Sequence, residues 1–95
     1  MRGVLIHHTK VTDEPGNTVE IKIWKLPKTT KGRPHGYKYS LVYVVNGERV
    51  LGYDNSEGKG DHRHYKDREE PCRFTGIDRL FEDFYDDVRR FMDEG

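Results

Sequence analysis

Cysteine and long apolar runs are what this chain has least of. Cys72 is the single cysteine among 95 residues, so the chain cannot close a disulfide on itself, which is typical of proteins in a reducing compartment. No apolar stretch approaches the roughly 20 residues that a membrane-spanning helix needs, and residues 1–8 turn polar too soon for a signal peptide. The sequence therefore predicts a cytoplasmic protein with no membrane contact.

The chain also lacks net charge, with 17 Lys and Arg against 17 Asp and Glu. The balance hides a division, because residues 1–66 carry 12 basic and 7 acidic side chains whereas residues 67–95 carry 5 and 10. A basic part is typical of a surface that binds a polyanion, and it is followed here by an acidic C-terminal element. Alternatively, the two parts attract each other within the fold. Both interpretations stay open.

The chain is long enough for a single domain, residues 1–95, with a modest core. Alternating apolar and polar residues predict strands over about 3–11, 18–26, 37–45 and 48–54, and Asn46-Gly47 predicts a type I′ hairpin turn. Apolar residues at helical spacing predict a helix over about 76–93, and residues 55–74 are the candidate active loop. The predicted fold class is α+β: an antiparallel sheet of about four strands packed against one C-terminal amphipathic helix.

The predicted helix has an apolar stripe and an acidic face. Phe81, Phe84 and Val88 lie at positions i, i+3 and i+7, so we expect them at the centre of the stripe that covers the sheet. Asp83 and Asp87 are expected on the opposite, solvated face. That face is also suited to binding a basic partner protein.

Residues 53–65 form the most informative segment, with two histidines, two cations, two tyrosines and three carboxylates around two glycines. Histidine gains or loses a proton near neutral pH, and Lys and Arg complement anionic oxygens. Glycine lets the main chain approach a ligand closely. This combination is typical of phosphate chemistry.

RNA cleavage without a metal needs a base, an acid and a cation beside the phosphate. In extended backbone, His62 and His64 would point to one side with Cα atoms roughly 6.6 Å apart, and Arg63 would face away. Lys59 is then the alternative cation, and Asp61 or Glu69 can orient an imidazole. The candidate catalytic residues are His62, His64, Lys59, Arg63, Asp61 and Glu69.

Two further groups of residues are candidates for nucleic-acid binding. The loop from 27 to 36 is basic, and contact with the phosphate backbone is its functional interpretation. The two tyrosines that flank the histidine segment offer stacking for an unpaired base. The candidate nucleic-acid-binding residues are Lys28, Lys31, Arg33, Tyr53, Tyr65 and Lys66. A solvated basic loop with no ligand is the alternative.

Two other interpretations of the histidine segment are open. Clusters of titratable groups also form structural networks that only hold a loop in place. The histidine pair together with Asp61, Glu69 and Cys72 contains enough ligand types for zinc, but no CxxC or HxxxH pair accompanies it. The prediction therefore includes no metal and no cofactor.

Several segments resemble the TumE-type toxins of bacterial and archaeal toxin–antitoxin modules: residues 38–47 (KYSLVYVVNG), 53–55 (YDN), 58–64 (GKGDHRH), 70–71 (EP) and 73–74 (RF). The resemblance implies a small toxin encoded beside a helix-turn-helix antitoxin that binds and silences it. Together with the site chemistry, it gives the hypothesis of a toxin that acts on RNA as a metal-independent endoribonuclease. The predicted partners are the cognate antitoxin and an RNA substrate, and a homodimer is left open. The alternative is a non-catalytic module that binds nucleic acid or protein.

Overall fold

The computed structural model describes residues 3–29, 35–55 and 60–94, and these ranges form six strands and one helix. In chain order the elements are β1 (Val4–Thr12), β2 (Thr18–Lys25), β3 (Tyr37–Val45), β4 (Glu48–Asp54), β5 (His62–Tyr65), β6 (Arg68–Pro71) and α1 (Ile77–Glu94). Within these ranges, no helix combines the length and the apolar character that crossing a membrane requires.

The six strands form one antiparallel sheet in which each strand pairs with the next along the chain, in the order β1 to β6. The predicted α+β class with one C-terminal helix is confirmed. The sheet has six strands, however, and not about four, because residues 55–74 contain β5 and β6. His62 and His64 therefore lie on a strand inside the sheet and not on a loop beside it.

The β5–β6 hairpin is hard to see in the sequence because its strands are polar. Its segments read HRHY and REEP, with none of the apolar alternation that marks a half-buried strand. Its two-residue connection is Lys66-Asp67, and Lys66 adopts a φ of 59° without being glycine or asparagine. By contrast, Asn46 and Gly47 have φ values of 54° and 78°, as the predicted type I′ turn requires.

The core lies between one face of the sheet and α1. Strand residues with almost no solvent exposure pack against the helix residues Leu80, Phe84 and Val88; they are Ile21, Ile23, Tyr39, Leu41, Tyr43, Leu51 and Tyr53. Phe84 is completely buried, and its ring meets the Tyr53 ring edge-on at 6.4 Å. Phe81 is only partly buried at the side of this core.

The helix departs from the predicted pattern at Asp87, which was expected on the solvated face. Asp87 is only 5% exposed and faces the sheet, whereas the side chain of the nearby Asp83 is 38% exposed and pairs with Arg79 one turn away. A charge at this depth requires hydrogen-bonding partners, and the sheet supplies them from Tyr53 and Arg63.

Candidate functional site

The sheet has a face that α1 does not cover, which we call the open face. Side chains alternate along a strand, so the residues on either side of Tyr53 and Arg63, which both contact α1, point the other way. Asp54 pairs across the strands with His62, and Gly52 with His64. Polar and aromatic residues of the open face include His8, Glu20, Lys22, Trp24, Lys38, Asp54, His62 and His64.

Asp54 and His62 form the buried part of the candidate site. His62 Nε2 lies 2.8 Å from Asp54 Oδ1, and the two residues are 4% and 8% exposed. The other ring nitrogen, Nδ1, lies 3.1 Å from the Gly60 carbonyl oxygen. Despite the short distance, Asp54 Oδ1 accepts no hydrogen bond from any residue in the described ranges. The contact is therefore close but is not directed along a ring N–H.

His64 completes the cluster on its more accessible side. Its ring centroid is 5.0 Å from that of His62, and its Nε2 lies 3.7 Å from Asp54 Oδ2. At Nδ1, Glu69 Oε2 is 3.5 Å away and an Arg49 Nη2 donor is 3.4 Å away. Burial, and then the Arg49 charge, lower the pKa of His64.

The cluster of Asp54, His62 and His64 brings together one ligand atom from each residue within 4.8 Å. Such a set can hold a metal ion, or it can serve acid–base chemistry. We refer to these three residues below as the His–Asp cluster. Glu69 lies at the rim of the cluster, where its Oε2 is 3.5 Å from His64 Nδ1.

Arg63 lies on the opposite face of the sheet from the two histidines. Its Nε and Nη2 donate to the two oxygens of Asp87 at 2.7 and 2.9 Å, and its Nη1 donates to Glu70 at 2.6 Å. The hydrogen bonds to Asp87 raise the pKa of Arg63. The structure therefore does not bring Arg63 into the His–Asp cluster, and it gives the guanidinium a place in attaching α1 to the sheet.

Tyr53 and Tyr65 also lie on the helix side. The Tyr53 hydroxyl donates to Asp87 at 2.8 Å, and burial, followed by the bond to Asp87, raises the pKa of Tyr53. The Tyr65 hydroxyl donates to Glu94 at 2.7 Å, and the Lys66 ammonium is 3.5 Å from the same carboxylate. The Tyr53 ring is too buried to stack on a base.

Asp61 contacts an imidazole, but it is that of His35. Asp61 Oδ1 lies 3.0 Å from His35 Nε2 and accepts from the Tyr39 hydroxyl at 2.7 Å. His35 Nδ1 in turn accepts a hydrogen bond from the Tyr37 N–H at 3.1 Å. The ring proton is therefore on Nε2, which donates a hydrogen bond to Asp61. The His35 ring also packs against the Phe74 ring, tilted by 30° and with a centroid distance of 4.0 Å. Asp61 thus stabilises the turn before β3.

Three of the predicted site residues, Lys59, Lys31 and Arg33, lie outside the described residues. Lys28 is exposed just after β2. Sequence reasoning missed Asp54, whose carboxylate lies within 3.7 Å of both imidazoles, and Arg49 beside it. The sequence could have indicated Asp54, because an acidic residue at the end of β4 lies opposite a histidine if the following segment pairs with β4 as a strand. That pairing was not predicted.

In a comparison with protein families, the family model described as toxin TumE matches residues 4–92. The matched range includes the whole of the His–Asp cluster and nearly all of α1. Searches of curated proteins and of solved structures found no significant match. The sequence match therefore establishes the family.

Proposed function

Because the chain belongs to the TumE toxin family, we propose that this toxin acts on RNA as an endoribonuclease whose active site is the His–Asp cluster. As the toxin of a toxin–antitoxin module, it has an antitoxin partner. The proposal adds that this antitoxin is a helix-turn-helix protein and that both act in the cytoplasm, where the RNA is. Whether the toxin forms a homodimer is outside the proposal.

The observation that carries the proposal is the pairing of two imidazoles with one carboxylate on the open face. His62 is buried, whereas the His64 side chain keeps some exposure, so an incoming phosphate reaches the cluster from the His64 side. Side chains that titrate near neutrality and sit beside a carboxylate are the groups that phosphodiester cleavage uses. The core of the protein lies on the other face of the sheet, so the packing of the core does not require these three polar side chains.

In the metal-independent route that the sequence predicts, the RNA 2′-oxygen attacks phosphorus and the bond to the 5′-oxygen breaks. One imidazole accepts the 2′-hydroxyl proton and the other donates a proton to the leaving 5′-oxygen. The products are a 2′,3′-cyclic phosphate and a 5′-hydroxyl. This route requires that both imidazoles exchange protons. The proposed cleavage does not depend on this particular route.

The rest of the open face offers a path for the RNA strand. Lys22 and Trp24 on β2 and Lys38 on β3 share the face with the cluster, and the Lys38 ammonium lies 5.1 Å from the centre of the Trp24 ring. From β5 to β2 is three strand spacings, about 14 Å. Lysines there would contact phosphates, and the indole would stack on a base. These residues are better placed than Tyr53 for contact with an unpaired base.

RNA cleavage by the purified toxin tests the proposal. The informative variant is His64→Ala, since His64 is the most accessible member of the cluster, and the matched control is His8→Ala, an exposed histidine on the same face that pairs with Glu20. We expect growth arrest and RNA cleavage to be lost in His64→Ala and kept in His8→Ala, with both variants folded by circular dichroism.

Equal activity of wild type and His64→Ala would remove the cluster from the active site. RNA binding by the wild type without any cleavage would instead support the non-catalytic module. Binding is measured by fluorescence anisotropy at two salt concentrations, because phosphate contacts weaken as salt rises.

A further inference from the structure

We propose that Asp54, His62 and His64 form a binding site for one divalent transition-metal ion. The inference deepens the proposed function, since it concerns the same cluster, but metal binding can be measured without any RNA. It also replaces the metal-independent route: an imidazole whose Nε2 is bound to a metal cannot exchange a proton there.

The hydrogen-bonding partners of His62 indicate which of its ring nitrogens carries a proton. The Gly60 carbonyl can only accept a hydrogen bond, so the His62 Nδ1 that lies 3.1 Å from it carries a proton. In a neutral ring, Nε2 then presents a lone pair, and this atom lies 2.8 Å from Asp54 Oδ1. Two atoms that carry lone pairs are thus held close together in a buried place, which is unfavourable unless one cation binds both.

A doubly protonated His62 ring, with an N–H at Nε2, does not account equally well for the short distance between Nε2 and Asp54 Oδ1. The carboxylate oxygen is close to Nε2 but accepts no hydrogen bond from it or from any other described residue. Two donor atoms that lie close together without pointing at each other are what a shared metal ion requires. With bonds of about 2.0–2.2 Å in tetrahedral geometry, neighbouring ligand atoms are roughly 3.3–3.6 Å apart, so a small outward shift of one side chain would let both atoms bind one ion.

The remaining distances fit the same interpretation. His64 Nε2 is 3.7 Å from Asp54 Oδ2, and the full set of ligand atoms lies within 4.8 Å. Closing the widest pair to a coordinating distance needs a shift of about 1.2–1.5 Å, which a rotation of the less buried His64 side chain would provide. The Nδ1 atoms face outer oxygens, those of Gly60 and Glu69, as is usual for metal-binding histidines.

The ligand set indicates the class of metal. Two imidazoles and one carboxylate suit Zn²⁺, Mn²⁺, Fe²⁺, Co²⁺ or Ni²⁺, whereas Mg²⁺ and Ca²⁺ prefer oxygen ligands. Three protein ligands leave coordination positions open, as in catalytic centres. A bound ion would supply the positive charge beside the phosphate, which Arg63 cannot supply because it is bound to Asp87 on the other face.

Arg49 is the competing charge at this site. Its Nη1 lies 3.9 Å from Asp54 Oδ2, and its Nη2 is 3.4 Å from His64 Nδ1. The Arg49 side chain is 46% exposed and can turn away into solvent. A metal site at this cluster therefore makes a specific prediction, namely that removing the guanidinium strengthens metal binding.

Metal titration of tag-free protein, freed of metal by EDTA, tests the inference. Visible absorption of Co²⁺ reports coordination, and displacement by Zn²⁺ gives the affinity for Zn²⁺. We expect one ion per chain in the wild type, a loss of affinity of at least about tenfold in His64→Ala and Asp54→Asn, and tighter binding in Arg49→Ala. His8→Ala, the matched control, should bind like the wild type. Thermal melting confirms that each variant is folded.

Wild-type affinity no greater than that of a His62→Ala, His64→Ala double variant would overturn the metal site. So would a loss of affinity in His8→Ala equal to that in His64→Ala. Cleavage by the EDTA-treated toxin with no Co²⁺ binding would refute the metal and keep the ribonuclease. Specific Co²⁺ binding by a toxin that never cleaves RNA would keep the metal and refute the ribonuclease.

Discussion

Replacing Asp87 with alanine tests how α1 is held on the sheet. The Asp87 carboxylate accepts two hydrogen bonds from Arg63 and one from the Tyr53 hydroxyl, at 2.7, 2.9 and 2.8 Å. Its side chain is 7% exposed and that of Arg63 is 20% exposed. Alanine removes the carboxylate, so the Arg63 guanidinium and the Tyr53 hydroxyl lose their hydrogen-bond acceptor beside the core.

The expected cost follows from that geometry. Breaking a buried ion pair by removing one partner costs about 3–5 kcal/mol, and the value is reduced here because Arg63 keeps some solvent contact and its bond to Glu70. We therefore expect the free energy of unfolding to fall by about 2–4 kcal/mol. For a domain of this size that is a fall in Tm of roughly 10–20 °C.

Thermal and urea unfolding followed by circular dichroism measure the effect. Asp83→Ala is the control, because the Asp83 side chain is 38% exposed and pairs only with Arg79 within the described part of α1; its expected cost is under about 0.5 kcal/mol. Equal losses in the two variants would refute the structural role of Asp87. A double-mutant cycle with Arg63→Met then measures the coupling energy between Asp87 and Arg63. A coupling energy of zero would also refute the structural role of Asp87.

Two further outcomes follow from the core and its titratable groups. Phe84→Ala removes a fully buried ring and should lower the free energy of unfolding by about 3–5 kcal/mol, measured by urea unfolding; a loss under about 1 kcal/mol would contradict the packing. Burial raises the pKa of Cys72 to about 11 and also raises those of Tyr39 and Tyr53 above their ordinary value. Unfolded chains release these protons at lower pH than the folded protein, so these groups should lower Tm as pH rises through about 9 to 11 and should leave it unchanged at neutral pH. A constant Tm across that range would show that these groups are not buried as described.

The family match strengthens the functional proposal without specifying the chemistry. It covers residues 4–92, so the toxin identity does not depend on the His–Asp cluster. The proposed active site depends on geometry alone, and the His64→Ala and His8→Ala pair tests it. A toxin that arrests growth through His64 but leaves RNA intact would redirect the search to another phosphate-containing target.

Local sequence determined the elements whose residues have strong conformational preferences. Asn46-Gly47 tolerates the positive φ of the hairpin turn, and the apolar spacing of α1 reflects the helical period. The histidine pair was also visible, since alternate residues of an extended chain share a face and His62 and His64 do so in β5. The α+β class follows from these local signals together.

Only the tertiary structure decided which residues meet. The β5 strand has no apolar pattern, and it becomes a strand because it pairs with β4, which brings His62 opposite Asp54. Asp87 lies in an acidic run typical of a solvated face, yet it is buried because Arg63 and Tyr53 on separate strands converge on it. Charges and hydrogen bonds between residues far apart in the chain leave no period in the sequence, so the partners of Asp54 and Asp87 could be found only in the folded sheet.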